Sequence, residues 1–219
     1  MGFVLIAEDV TDPGAPARRE AARPAHLESI RSAAARGLLV MSGPRMPDAA
    51  TTSGSLQFFE ASEAEMAAYM AAEPFALQGV WQRHEILPFR IAPLPWPPQP
   101  GRPGGPTAPV FAHAVIARDG SDAEAPARRQ AVRPRHFEKL SAEIGRGQVL
   151  IGGAILDAPD GAMVGSIIAL ALPDEAAVRD WLATEPYVTE GVWQDIRIER
   201  WRIGPQPYPA LPGSPIPGA

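Results

Sequence analysis

Cysteine is absent from the 219 residues, which removes disulfides, thiolate metal sites and a cysteine nucleophile together. No apolar run approaches the roughly 20 residues that cross a bilayer, so no membrane association is expected. A basic stripe is missing too. The 20 Lys and Arg are interspersed among 25 Asp and Glu, for a formal charge of −5, which argues against a nucleic-acid partner. No Gly-rich phosphate cradle or dinucleotide fingerprint occurs, so a nucleotide cofactor is not expected. The four histidines show no His-x-x-x-His spacing, and no metal is expected either. The chain opens on Phe3-Val4-Leu5-Ile6 without a basic leader segment, and a soluble cytoplasmic protein is the expectation.

What the chain does contain is one pattern written twice. Pro16-Ala17-Arg18-Arg19 returns as Pro126-Ala127-Arg128-Arg129, Arg23-Pro24-Ala25-His26 as Arg133-Pro134-Arg135-His136, and Gly79-Val80-Trp81-Gln82 as Gly191-Val192-Trp193-Gln194. Two tandem domains are expected, over 1–91 and 111–203. Proline is abundant, at 26 residues, and is dense between and after the repeats. The segments 92–110 and 204–219 therefore read as an extended, semi-rigid linker and tail.

Within each repeat the order reads strand, helix, strand, strand, helix, strand. First strands run over Val4 to Glu8 and Ala114 to Arg118. Pro24 and Pro134 suit the first turn of a helix. Its apolar stripe is Leu27, Ile30 and Ala34, or Phe137, Leu140 and Ile144. Second strands, Leu38 to Ser42 and Gln148 to Ile151, turn through Gly54-Ser55 and Gly165-Ser166 into third strands ending at Glu60 and Leu172. The second helix starts at Ser62, boxed with Glu65, and at Asp174. Last strands cover Val80 to Leu87 and Val192 to Glu199.

This is the order of the ferredoxin-like βαββαβ plait, an α+β fold with an antiparallel sheet and both helices on one face. The other sheet face is equally apolar. The two repeats are therefore expected to pack sheet to sheet, as an intramolecular pseudo-dimeric α+β barrel, with a further homodimer left open.

That topology gathers Arg23, His26, Ser55 and Glu73 at one sheet edge, and Arg133, His136, Ser166 and Glu185 at the equivalent edge. An imidazole in the first turn of a helix would be kept neutral by the macrodipole and able to accept a proton. Glu73 and Glu185 could orient it, and Arg23 and Arg133 could hold an anionic group. Other readings compete. A histidine at a helix start can be a local cap, Glu-Pro can be a helix stop, and Gly-Ser can be turn residues only. Trp81 and Trp193 read as packing residues, and Arg18-Arg19 and Arg128-Arg129 as solvated. His84 and His113 occur in one copy only.

Five motifs recur in order: Arg23 to His26, Gly43-Pro44, Gly54-Ser55, Glu73-Pro74-Phe75 and Gly79-Val80, matched by Arg133 to His136, Gly153, Gly165-Ser166, Glu185-Pro186-Tyr187 and Gly191-Val192. In these, both repeats resemble the YCII-related (YciI-like) domain. The resemblance implies a dimeric α+β barrel with a His/Asp site, in a family where one characterised relative eliminates hydrogen chloride from a chlorinated hydroxyhydroquinone. Here Glu replaces that Asp in both copies, and Gly153-Ala154 lacks the family's proline. The expected function is a cofactor-independent lyase or isomerase acting on a small acidic or phenolic metabolite. The alternative is a non-catalytic small-molecule binding or accessory protein.

Overall fold

The structure, a computed structural model, describes residues 2–215. The first repeat forms β1 (Gly2–Asp9), α1 (Ala15–Ala35), β2 (Leu39–Arg45), β3 (Gly54–Glu60), α2 (Glu63–Ala72), α3 (Pro74–Leu77) and β4 (Trp81–Ile91). The second forms β5 (Val110–Asp119), α4 (Ala125–Gly145), β6 (Val149–Leu156), β7 (Met163–Leu170), α5 (Glu175–Ala183), α6 (Pro186–Thr189) and β8 (Trp193–Ile203). The eight strands close into one barrel in the order β1-β3-β2-β8-β5-β7-β6-β4. Each half thus keeps the plait order, first strand central. The halves are also hydrogen-bonded edge to edge, through Arg45 opposite Trp201 and through Phe89 to Ile91 opposite Ile155 to Gly153.

Strand periodicity explains the layers. In β1, Val4 and Ile6 enter the barrel cluster, whereas Phe3, Leu5 and Ala7 face the helices. Both faces are buried, so the strand reads as a continuous apolar run. The interior is filled with side chains: Phe58 lies 5.5 Å, ring to ring, from both Phe89 and Trp201. Gly43 and Gly153 occupy the seams for a steric reason. A Cβ on Gly43 would sit 1.9 Å from the Arg202 carbonyl oxygen, and one on Gly153 would sit 2.2 Å from that of Arg90. Each glycine lets the last strand of the opposite repeat approach.

One expectation is corrected. The long helices begin at Ala15 and Ala125, with Pro16 and Pro126 in the first turn, while Pro24 and Pro134 lie inside. Neither start carries a side-chain cap, because Gly14 and Glu124 stand at the N-caps without such a bond. An interior proline forgoes one helical hydrogen bond. Burial of Ala22, His26, Ile30, Ala33 and Ala34 on one face of α1 offsets it.

The proline-rich segments, expected as an extended, semi-rigid linker and tail, pack against the barrel. Trp96 is fully buried in the barrel cluster, and its indole N–H donates to the Ala92 carbonyl at 2.7 Å. Tyr208 is buried as well. Its hydroxyl accepts from the Ser42 N–H at 3.1 Å and lies 3.2 and 3.1 Å from the Ser42 and Gly204 carbonyl oxygens. Arg102 donates to the Tyr208 carbonyl at 2.7 Å, tying linker to tail. Residues 216–219, the end of the expected tail and including Pro217, lie outside the described residues.

Candidate active site

Arg19 and His26 are seven residues apart on α1, two turns, and so share a face. That face meets the end of β1, the start of β3 and the junction of α2 with α3. Glu73 ends α2 and its side chain caps α3, accepting from the Phe75 N–H at 2.9 Å. The same oxygen, Oε1, lies 2.6 Å from His26 Nδ1. A carboxylate can only accept, so Nδ1 carries a proton, and in the neutral ring Nε2 is the bare nitrogen. The second repeat repeats this: His136 Nδ1 lies 2.6 Å from Glu185 Oε1, which also accepts from the Tyr187 N–H at 3.1 Å. Glutamate in place of the family's aspartate therefore still reaches the imidazole in both copies.

The rings are clamped. His26 stacks on Phe75 at 3.7 Å between centroids, and His136 on Tyr187 at 3.9 Å. Trp81 and Trp193 stand edge-on to these imidazoles at 6.1 and 5.6 Å, as packing partners. The histidines sit in mid-helix, so the macrodipole expected to keep them neutral is out of reach, since its influence fades within the end turns. Burial does that work at His136, pushing its imidazole below the ordinary value against the pull of Glu185.

The eight residues expected at the sites fall into two clusters of four. His26, Arg23 and Ser55 line one cavity, with Glu73 directly behind the imidazole. Arg23 is half exposed at its mouth, 3.6 Å from Glu20. His136, Arg133 and Ser166 line the other, with Arg133 over the Phe137 ring at 4.2 Å. Ser55 and Ser166 belong to β3 and β7 and are buried, and Ser166 accepts from Arg129 at 2.9 Å and from Trp193 at 3.2 Å.

Sequence reasoning missed the buried ion pairs beside them. Arg19 meets Asp9 at 2.7 Å, and Arg129 meets Asp119 at 2.8 Å. These arginines lie over Phe75 and Tyr187, opposite to the expectation that they are solvated. In both repeats a register shift just before the aspartate breaks the regular pairing of the first strand with the last, as bulges beside sites often do. Burial pushes both aspartyl carboxyls above their usual range, opposed by the paired arginines. The missed signal was duplication: an Arg seven residues before each His, and an Asp ending each first strand.

The two sites differ in room. The first opens on a cavity of about 610 Å³, within the range of small-molecule sites. The second retains about 60 Å³, room for little more than water. Larger side chains line it at matching positions, Phe137 for Leu27 and Met163 for Thr52. The carboxylates also have different neighbours. Lys139 Nζ lies 3.9 Å from Glu185 Oε2, whereas Tyr69, whose hydroxyl is raised well above its usual range by burial and by Glu73, stands near Glu73. Among the described residues no group of three or more His, Cys, Asp or Glu is placed to hold a metal ion, and no helix is long and apolar enough to cross a membrane.

The profile of the YCII-related domain matches residues 1–90 and 112–202. No curated protein matches the chain. Among solved structures, a candidate monooxygenase from Lactobacillus acidophilus NCFM is 14% identical, covering 94% of this chain and 96% of that one, with a TM-score of 0.55. A mutant chlorite dismutase from Candidatus Nitrospira defluvii is 11% identical over 93% and 91%, TM-score 0.58. An anthrone oxidase-like protein is 11% identical over 92% and 90%, TM-score 0.56. At these identities what is shared is the fold, the dimeric α+β barrel.

Proposed function

The chain belongs to the YCII-related domain family, as two tandem copies of the domain, and from that premise we propose that it is a cofactor-independent enzyme transferring a proton on a small acidic or phenolic metabolite. The observation that carries this reading is the buried His26–Glu73 pair at the wall of the larger cavity. His26 Nε2, which has no hydrogen-bond partner among the described residues, takes a proton from the substrate. The imidazolium so formed is stabilised by Glu73. Returning that proton to another carbon gives an isomerisation; passing it to a departing group gives an elimination. Either way the enzyme ends in its starting state. Ser55 and Arg23 position the substrate at the cavity wall and mouth.

In this reading the second repeat is the structural half. One observation supports that division, the roughly 60 Å³ left around His136, which has room for neither a substrate nor a comparable ligand. The test is untargeted metabolite profiling of a cell extract incubated with the wild type and with the His26→Gln/His136→Gln double variant, followed by mass spectrometry of protein-bound species. A metabolite consumed only by the wild type is expected. A metabolite that is bound but unchanged would replace catalysis with carriage.

A further inference from the structure

We infer that Arg202, from the last strand of the second repeat, selects an anionic ligand for the cavity of the first repeat; this names the ligand class of the proposed site and so rests on that reading. Trp201 and Ile203 point into the barrel, both fully buried. Alternation along β8 puts the Arg202 side chain on the outer, helix-bearing face, where the residue lines the His26 cavity. Its main chain is fixed by the close approach at Gly43 and by the tail, through the Gly204 and Tyr208 contacts with Ser42. The cavity is thus assembled across the repeat boundary, its far wall supplied by Arg202, Gln206 and Tyr208.

Three cations line this cavity. Arg19 is spent on Asp9, and Arg23 lies 3.6 Å from Glu20, which also lines the mouth. Arg202 has no carboxylate within ion-pairing distance among the described residues. A guanidinium held in a cleft and left without a counter-charge suits a carboxylate, which it can bind through two parallel hydrogen bonds, or a phenolate, whose one oxygen it can meet with a charge-assisted bond. The opposite repeat supplies an internal control. Arg90 occupies the same place, between Phe89 and Ile91, and lines the His136 cavity, but it lies 3.7 Å from Asp160. In the first repeat Ala49 and Ala50 of the β2–β3 loop line the cavity, and the loop's carboxylate, Asp48, accepts instead from the Ala50 and Thr51 N–H groups at 2.8 and 2.7 Å.

The experiment is a titration of the full chain with benzoate and with its neutral analogue benzamide, followed through the imidazole resonances of His26 and His136. Benzoate is expected to shift the His26 signals saturably, leaving His136 unmoved, and benzamide to bind at least about tenfold more weakly. Arg202→Met should weaken benzoate binding by about tenfold or more, Arg202→Lys less than Arg202→Met, and Arg90→Met not at all. Unchanged free-state imidazole resonances in the Arg202 variants establish that the site itself is intact. Benzoate affinity within twofold of wild type in Arg202→Met, a response at His136 instead of His26, or no saturable response would overturn the inference. Such a failure leaves turnover at His26 standing. Loss of the catalytic reading would show differently, as benzoate binding intact with no metabolite consumed.

Discussion

Replacing Glu73 separates what its carboxylate does for the fold from what it does for His26. The side chain is fully buried and one oxygen accepts twice, from the Phe75 N–H and from His26 Nδ1. Glu73→Ala removes the cap of α3, worth about 1 kcal/mol. It also leaves a buried Nδ1–H without an acceptor, at about 1–3 kcal/mol. The variant is therefore expected to lose about 2–4 kcal/mol, partly offset because a buried charge disappears with the side chain. Glu73→Gln keeps an acceptor oxygen at the same reach and also removes the charge, so its stability should stay within about 1 kcal/mol of the wild type. Neither variant can stabilise an imidazolium, and both should lose turnover. Urea denaturation provides the assay, with a midpoint lowered by about 1 M in the alanine variant if the slope is about 2–3 kcal/mol per M. Equal losses in the two variants would refute the reasoning, since the charge and not the acceptor would then hold the site together.

Two other predictions address the packed linker and the second site. Trp96→Ala should destabilise the protein by about 3–5 kcal/mol, the cost of emptying a buried indole, whereas a solvated spacer would tolerate it; thermal or urea unfolding decides. Burial lowers the His136 imidazole below its ordinary 6.5, so as pH falls the unfolded chain binds that proton first and the fold loses stability. The loss starts near that unfolded value and continues down to the folded one, at up to about 1.4 kcal/mol per pH unit. His136→Gln should flatten this part of the profile below about pH 6.5, and an unchanged slope in urea midpoints would contradict the assignment.

Duplication made much of this legible in the residues alone. Apolar runs bounded by Gly-Ser turns place the strands, the Ser62–Glu65 box places a helix start, and two apolar sheet faces imply the barrel. His26 and Glu73, 47 positions apart, could be paired because each recurs with its neighbours. Three things stayed hidden, each for a physical reason. The two long helices, α1 and α4, start without a side-chain cap, so Pro24 looked like a beginning when it is an interior residue tolerated by tertiary packing. Arg19 looked solvated because an arginine's burial depends on a partner, here Asp9, that only the fold brings near. The contrast between the cavities depends on Leu27 against Phe137 and Thr52 against Met163, differences of volume that leave no motif.

The most direct test of the central claim compares His26→Gln with His136→Gln on the metabolite that the wild type consumes. The account predicts that the first variant leaves it untouched while the second consumes it at close to the wild-type rate. Comparable losses in both variants would contradict a single working site, and undiminished consumption by His26→Gln would remove the imidazole from the chemistry altogether.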